Sequence, residues 1–146
     1  MRRLIAVVLT ASLVLLGAAC GDDEERLTSE EFEAQGNEIC EEGNERLEKL
    51  FTEEFGEADE APPADEVEAF IDDEVVPSIE QQIDDLRELN PPEDIEEEYE
   101  DLLDDAQAAA DELGDLSGEE VLPEETDPFE DVNERAGELG LTACAE

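Results

Sequence analysis

Histidine and tryptophan are absent from this chain, and lysine and tyrosine occur once each, as Lys49 and Tyr99. The missing histidine removes whole classes of chemistry. No Ser-His-Asp or Cys-His nucleophile can be assembled, and neither an H-E-x-x-H site nor the Glu-x-x-His pairs of di-iron bundles can exist. Basic residues are scarce too: seven stand against 49 acidic ones, a formal charge of −42 over 146 residues. A chain of that sign is repelled by nucleic acid and by anionic lipid surfaces, so neither is expected as a partner. No P-loop and no G-x-G-x-x-G occurs. Beyond residue 16 no apolar run approaches the roughly 20 residues of a membrane-spanning helix.

What is present begins with an address. Met1-Arg2-Arg3 is a short basic region, residues 4–16 are apolar apart from Thr10 and Ser12, and Gly17-Ala18-Ala19 is a run of small residues. This is the layout of a secretory signal peptide. The stretch LLGAAC, ending at Cys20, also resembles the lipobox of bacterial lipoproteins. In that family the cysteine thiol is joined to diacylglycerol, and the cysteine becomes the first residue of the mature chain. Ala18 and Ala19 match the small positions, while Gly17 stands where leucine is usual and Leu16 lies one place further back. The resemblance implies a signal peptide over residues 1–19 and lipid attachment at Cys20. It also implies a lipid-anchored tether over residues 20–27, on the outer face of the cell membrane. The other reading is ordinary cleavage, with secretion and Cys20 left as a thiol.

An exported protein with three cysteines needs a reason for the odd one. Lipidation of Cys20 supplies it and leaves Cys40 and Cys144, 104 positions apart. Export permits a disulfide between them. On a chain-entropy argument, closing so long a loop is worth about 4–5 kcal/mol. Zinc is the rival, although two cysteines without histidine make a poor ligand set. No metal and no other cofactor is expected.

Few aromatics and a high net charge are marks of disorder. Helical periodicity argues for a fold. Thr28 to Glu31, TSEE, fits a capping box at the start of a segment reaching residue 55. Phe32, Ile39, Cys40, Leu47, Leu50 and Phe51 share one face of it. Gly36 and Gly43 lie on that face, marking either close approach of a neighbour or simple tolerance. Residues 56–65 read as a linker, with Asp65 capping a second segment to about residue 89. Its stripe is Val67, Phe70, Ile71, Val75, Ile79, Ile83 and Leu86, and Pro77 inside it predicts a kink or break near residues 75–77. A third segment, from about Pro92 to Gly114, carries Ile95, Tyr99, Leu102, Leu103, Ala106, Ala110 and Leu113. A loop or short helical piece with Leu116, Val121 and Leu122 follows. The last segment has Asp127 as cap, Pro128 at its first position, Phe129, Val132, Ala136 and Leu139 on its face, and Gly140-Leu141 as its stop. These features predict an all-α fold: a small antiparallel bundle of about four helices over residues 28–146, with a kinked second helix and one disulfide.

The stretches FEAQGNEICEEGNERLEKL, VVPSIEQQIDDLRELNPP and LGLTAC resemble an uncharacterised family of small exported helical proteins from high-GC Gram-positive bacteria. Asn37, Ile39, Cys40, Val75, Val76, Pro77, Leu139, Gly140, Leu141 and Cys144 carry the match. The resemblance implies the helical fold and the pairing of Cys40 with Cys144. It implies no activity.

Carboxylate pairs abound, and for that reason no pair stands out. A glycosidase holds two across a cleft, and nothing in a short-looped bundle provides one, so no catalytic residue is assigned and an enzyme is not expected. The runs at Asp72-Asp73 and residues 96–105 invite a calcium reading, but no EF-hand loop is present. Asp84-Asp85, Asp104-Asp105 and Glu96-Glu97-Glu98 fall on the solvated sides of their helices. Weak, diffuse binding of divalent cations is the alternative function, and a carboxylate-dependent hydrolase the remote one. High acidity with almost no lysine also fits adaptation to salt, since about 1 M salt shortens the Debye length to about 3 Å. The expectation is a non-enzymatic, lipid-anchored surface protein that binds or scaffolds an unknown envelope partner. Expressed in an exporting Gram-positive host, a Cys20→Ser chain is expected to move from the membrane pellet to the soluble fraction. An unchanged distribution would refute lipid anchoring.

Overall fold

The computed structural model describes residues 26–56, 62–118 and 127–145. Cys20, the signal segment, and Val121 with Leu122 lie outside them. Among the described residues there are helices and turns and no strand. The helices are α1 (Ser29–Phe55), α2 (Ala64–Phe70), α3 (Val76–Arg87), α4 (Glu96–Asp115) and α5 (Glu130–Glu138). A π-helical turn, Ile71–Val75, joins α2 to α3, and a 3-10 turn, Thr142–Ala145, follows α5. The expected all-α fold with four helical segments is thus present, the second being α2, the π turn and α3 run together.

α1 opens on the capping box. Thr28 is extended, its hydroxyl accepts from the Glu31 N–H, and the Glu31 carboxylate takes the Thr28 N–H at 3.0 Å. The Thr28 hydroxyl and N–H together hold the Glu31 carboxyl below its usual range. Arg26 and Leu27, expected at the end of a solvated tether, are instead docked. The Leu27 N–H reaches Asn90 O at 2.9 Å and its side chain packs on the core, while Arg26 meets Glu96 at 2.8 Å and Pro91 O at 3.1 Å. An apolar side chain and a scarce cation both gain by joining the body.

Asp65 is not the cap of the second segment. Pro63 occupies that position without a side-chain bond, and Asp65 sits in the first turn, where a carboxylate suits the helix dipole. The kink expected at Pro77 takes the form of the π turn. A proline there cannot donate to the carbonyl four residues back, and its ring would collide with it. The Val76 N–H bonds to Ile71 O, five residues back, so the turn widens and the helix passes the proline without breaking. Asp127 likewise caps a turn, not a helix. Its carboxylate accepts the Phe129 N–H at 2.9 Å, a local loop that competes with the helix, so α5 begins only at Glu130 and Pro128 lies before it. At the other end Gly140 has φ +82°. The Leu141 N–H reaches Ala136 O at 2.9 Å and the Gly140 N–H reaches Gly137 O at 3.2 Å, the paired bonds of a Schellman stop.

Register contacts show the antiparallel arrangement. Gly43 faces Gln82 and Arg46 faces Ser78 between α1 and α3, while Tyr99 meets Leu86 and Gln107 meets Glu80 between α3 and α4. The core gathers Phe32, Cys40, Leu86, Tyr99, Leu102, Leu103, Ala136 and Leu141, with a second group of Ile83, Ala106 and Ala110. Tyr99 stands edge-on to Phe32 with ring centroids 4.9 Å apart, and its hydroxyl donates to Leu86 O at 2.7 Å. Burial pushes its pKa up from the ordinary value near 10. Phe51, expected on the buried stripe, is 52 % exposed. Its ring meets those of Phe55 and Phe70, at 5.1 and 6.2 Å between centroids.

The C-terminal turn is fastened to α1 at three successive levels. Asn37 donates to Gly140 O at 2.9 Å and accepts from the Ala143 N–H at 2.8 Å. The Cys40–Cys144 disulfide, with Cα atoms 5.1 Å apart, lies one turn on. Asn44 then donates to Ala143 O at 2.9 Å. Gly36 is needed above them, since a Cβ there would run into the Leu141 side chain. Asn37→Ala orphans a partly buried carbonyl and N–H and is expected to cost about 1–3 kcal/mol. Removing the disulfide with Cys40→Ser and Cys144→Ser is expected to cost about 2–5 kcal/mol. Both act on one turn, so the triple variant should lose less than the sum in urea denaturation. Full additivity would mean that the Asn37 and disulfide fastenings act independently.

Candidate binding cavity

Where the two apolar groups meet, the helices leave a cavity of about 300 Å³. It follows from residue size. α4 presents Ala106 between Leu102, Leu103 and Ala110, and α5 presents Ala136, so the facing stripes touch less fully than leucines would make them. α3 contributes Ile79, Ile83 and Leu86, α1 contributes Leu47, and Phe129, Val132 and Leu141 close the wall. The space is half open to solvent, and a cleft of this volume lined by aliphatic and aromatic side chains is at the lower end of ligand pockets.

Polar groups are few and sit at its margin: Asn44, Gln82, Asn133 and Asp127. Asn44 is held by its bond to Ala143 O, and Asp127 by the bond it accepts from the Phe129 N–H. Gln82 lies across Gly43, where a Cβ would overlap its side chain. Gly43 thus lets the amide reach the margin of the cavity. Among the described residues, Asp127 is the single carboxylate of the lining, which contains no lysine or arginine. Cys144 forms part of the wall through its disulfide to Cys40. The arrangement offers shape, apolar area and a few hydrogen bonds. Among the described residues it offers no nucleophile paired with a base.

Two other concavities are of a different kind. One, between α3 and α4, is edged by Arg87, Glu96, Glu100 and Asp104, and another, beside α5, by Asp105, Asp131, Glu134, Arg135 and Glu138. Both are charged surface features. Among the described residues no group of three or more acidic or cysteine side chains is placed to hold a metal ion. Asp104 and Asp105 are turned outward, where they meet Arg87 and Arg135, and Glu96 meets Arg26.

No protein-family model matches the chain, and no curated protein and no solved structure matches it either. Of the residues singled out in the sequence, Cys40 and Cys144 are brought together, and Cys20 lies outside the described residues. The cavity residues Asn44, Gln82 and Asn133 were not singled out. Their signal was an amide bordering each apolar stripe, which nothing separates in sequence from an ordinary solvated edge. A residue that fills the space should stabilise the empty protein. Ala106→Leu is expected to raise stability by about 0.5–2 kcal/mol in thermal unfolding. A fall would mean that the wall at Ala106 is already closed.

Proposed function

We propose that this chain is a non-enzymatic, lipid-anchored protein of the outer face of a bacterial membrane. Its stapled helical body binds a small ligand in the interhelical cavity. The observation that carries the binding role is the cavity itself, an apolar space with one carboxylate at its edge and the disulfide in its wall. A lining without a nucleophile–base pair supports a binding role over a hydrolytic one. Anchoring rests on the lipobox-like stretch before Cys20. No described helix is long and apolar enough to cross a membrane.

The acidity belongs to the same proposal, as adaptation to a saline exterior. Exposed carboxylates occur on every helix: Glu38 and Glu45 on α1, Glu66 on α2, Asp84 on α3, Asp101 and Glu112 on α4, Glu134 on α5. A surface acidic all round supports solvation and repulsion as its role, where a cation site would concentrate charge in one place. One thermal unfolding series tests both parts, using the exported chain as a soluble Cys20→Ser protein. Stability is expected to rise gradually with sodium chloride, and by no more with calcium at equal ionic strength. A sharp, saturating rise with calcium would instead establish a cation site. At about 1 M salt, phenylbutanol, a neutral apolar probe, is expected to raise the melting temperature with saturation. The rise should vanish in Ala106→Leu. No rise in the parent protein would overturn the binding role.

A further inference from the structure

The chemistry of the lining narrows the occupant further, and we infer that the cavity takes a small apolar molecule with a cationic head, an amphiphilic amine in chemical class. The inference rests on the binding role proposed above. The body of the ligand follows from the walls. Leu47, Ile83, Leu102 and Phe129, from four different parts of the chain, offer apolar area and dispersion contact and nothing that could satisfy a buried polar group. The head follows from the margin. Asp127 is exposed and, among the described residues, is the one charged group there. A carboxylate can accept about four hydrogen bonds, and the Phe129 N–H, the one partner of the Asp127 side chain among the described residues, takes one of them.

Charge decides among the possible heads. An anionic head would meet Asp127 with no lysine or arginine in the lining to offset it, after crossing the field of a chain whose formal charge is −42. A neutral hydroxyl could bond to the amides but would gain nothing from that field. An ammonium gains twice: a charge-assisted bond to Asp127, and a local concentration raised by the surrounding potential. The amides of Gln82 and Asn133 also line the cavity, and their oxygens are able to accept N–H groups.

The test compares phenylbutylamine, phenylbutanol and phenylbutanoate, three probes sharing one body, by calorimetric titration of the soluble Cys20→Ser chain. The amine is expected to bind about fivefold more tightly than the alcohol, the size of an exposed ion pair, and the carboxylate not measurably. Diffuse attraction of any cation to an acidic protein is separated by Asp127→Asn. That variant removes one unit of charge from 42 and keeps an oxygen to accept the Phe129 N–H. With parent and variant both titrated at about 1 M salt, where the diffuse field is screened, the ratio of amine to alcohol affinity should fall to near one in the variant. Equal affinities in the parent, or a preference that survives Asp127→Asn, would overturn the cationic head while leaving the cavity a binding site. Binding of neither probe, in the parent or in Asp127→Ala, would overturn the binding role itself. If probes bind only after Val121→Ser and Leu122→Ser, the cavity is a seat for the chain's own segment, and the inference fails.

Discussion

Self-repulsion is the constraint under which every other feature of this molecule works. Two like charges 4 Å apart in water cost about 1 kcal/mol, and the sequence sets 49 acidic residues against seven basic ones. Where the described cations sit is therefore informative. Arg26 joins the chain entering α1 to Glu96 of α4, Arg87 joins α3 to Asp104 of α4, and Arg135 joins α5 to Asp105 of α4. Arg46 reaches from α1 to the Ser78 carbonyl on α3. Each of these arginines bridges two elements, and the single lysine is left to an exposed pair within α1. Exposed pairs are individually weak. Their value lies in position, because each replaces a repulsive contact between acidic helices with an attractive one.

Apolar area alone would leave so small a bundle marginal. The covalent closure between Cys40 and Cys144 answers that, and the neighbouring asparagines make it specific. Asn37 and Asn44 lie on the same face of α1 as Cys40, one turn to either side, and their amides stand in for backbone partners that an irregular turn would lack. The same turn inserts Leu141 into the core beside Gly36 and closes one side of the cavity. The staple and the candidate site are therefore one construction, and loosening the turn would open the cavity.

Much of this was legible in the residues, and for identifiable reasons. The capping box at Thr28, the stop at Gly140 and the pairing of Cys40 with Cys144 depend on local geometry or on cysteine count, which a sequence states directly. Asp65 and Asp127 were misread because a carboxylate near a helix start has several uses, as dipole partner, cap or turn former, and neighbouring backbone chooses among them. Pro77 announced an irregularity but not its form, since a break and a π turn both remove the offending carbonyl. Phe51 was misplaced because periodicity identifies a face without saying how far along the helix a neighbour covers it. The cavity was invisible for a related reason. Alanines at Ala106 and Ala136 read as ordinary core positions, and only their convergence in space leaves a gap.

Tyr99 gives this architecture a further property. It is the chain's one tyrosine, there is no tryptophan, and its ring is buried against Phe32 with its hydroxyl on the Leu86 carbonyl. The near-ultraviolet absorbance and fluorescence of the protein are therefore dominated by a single group at the α1–α3–α4 junction. Burial raises the phenol's pKa, so the folded state keeps the proton that the unfolded chain releases near pH 10. Its contribution to stability is whole below that point and is lost as pH rises above it. The protein thus carries an intrinsic optical probe whose ionisation reports the opening of its own core.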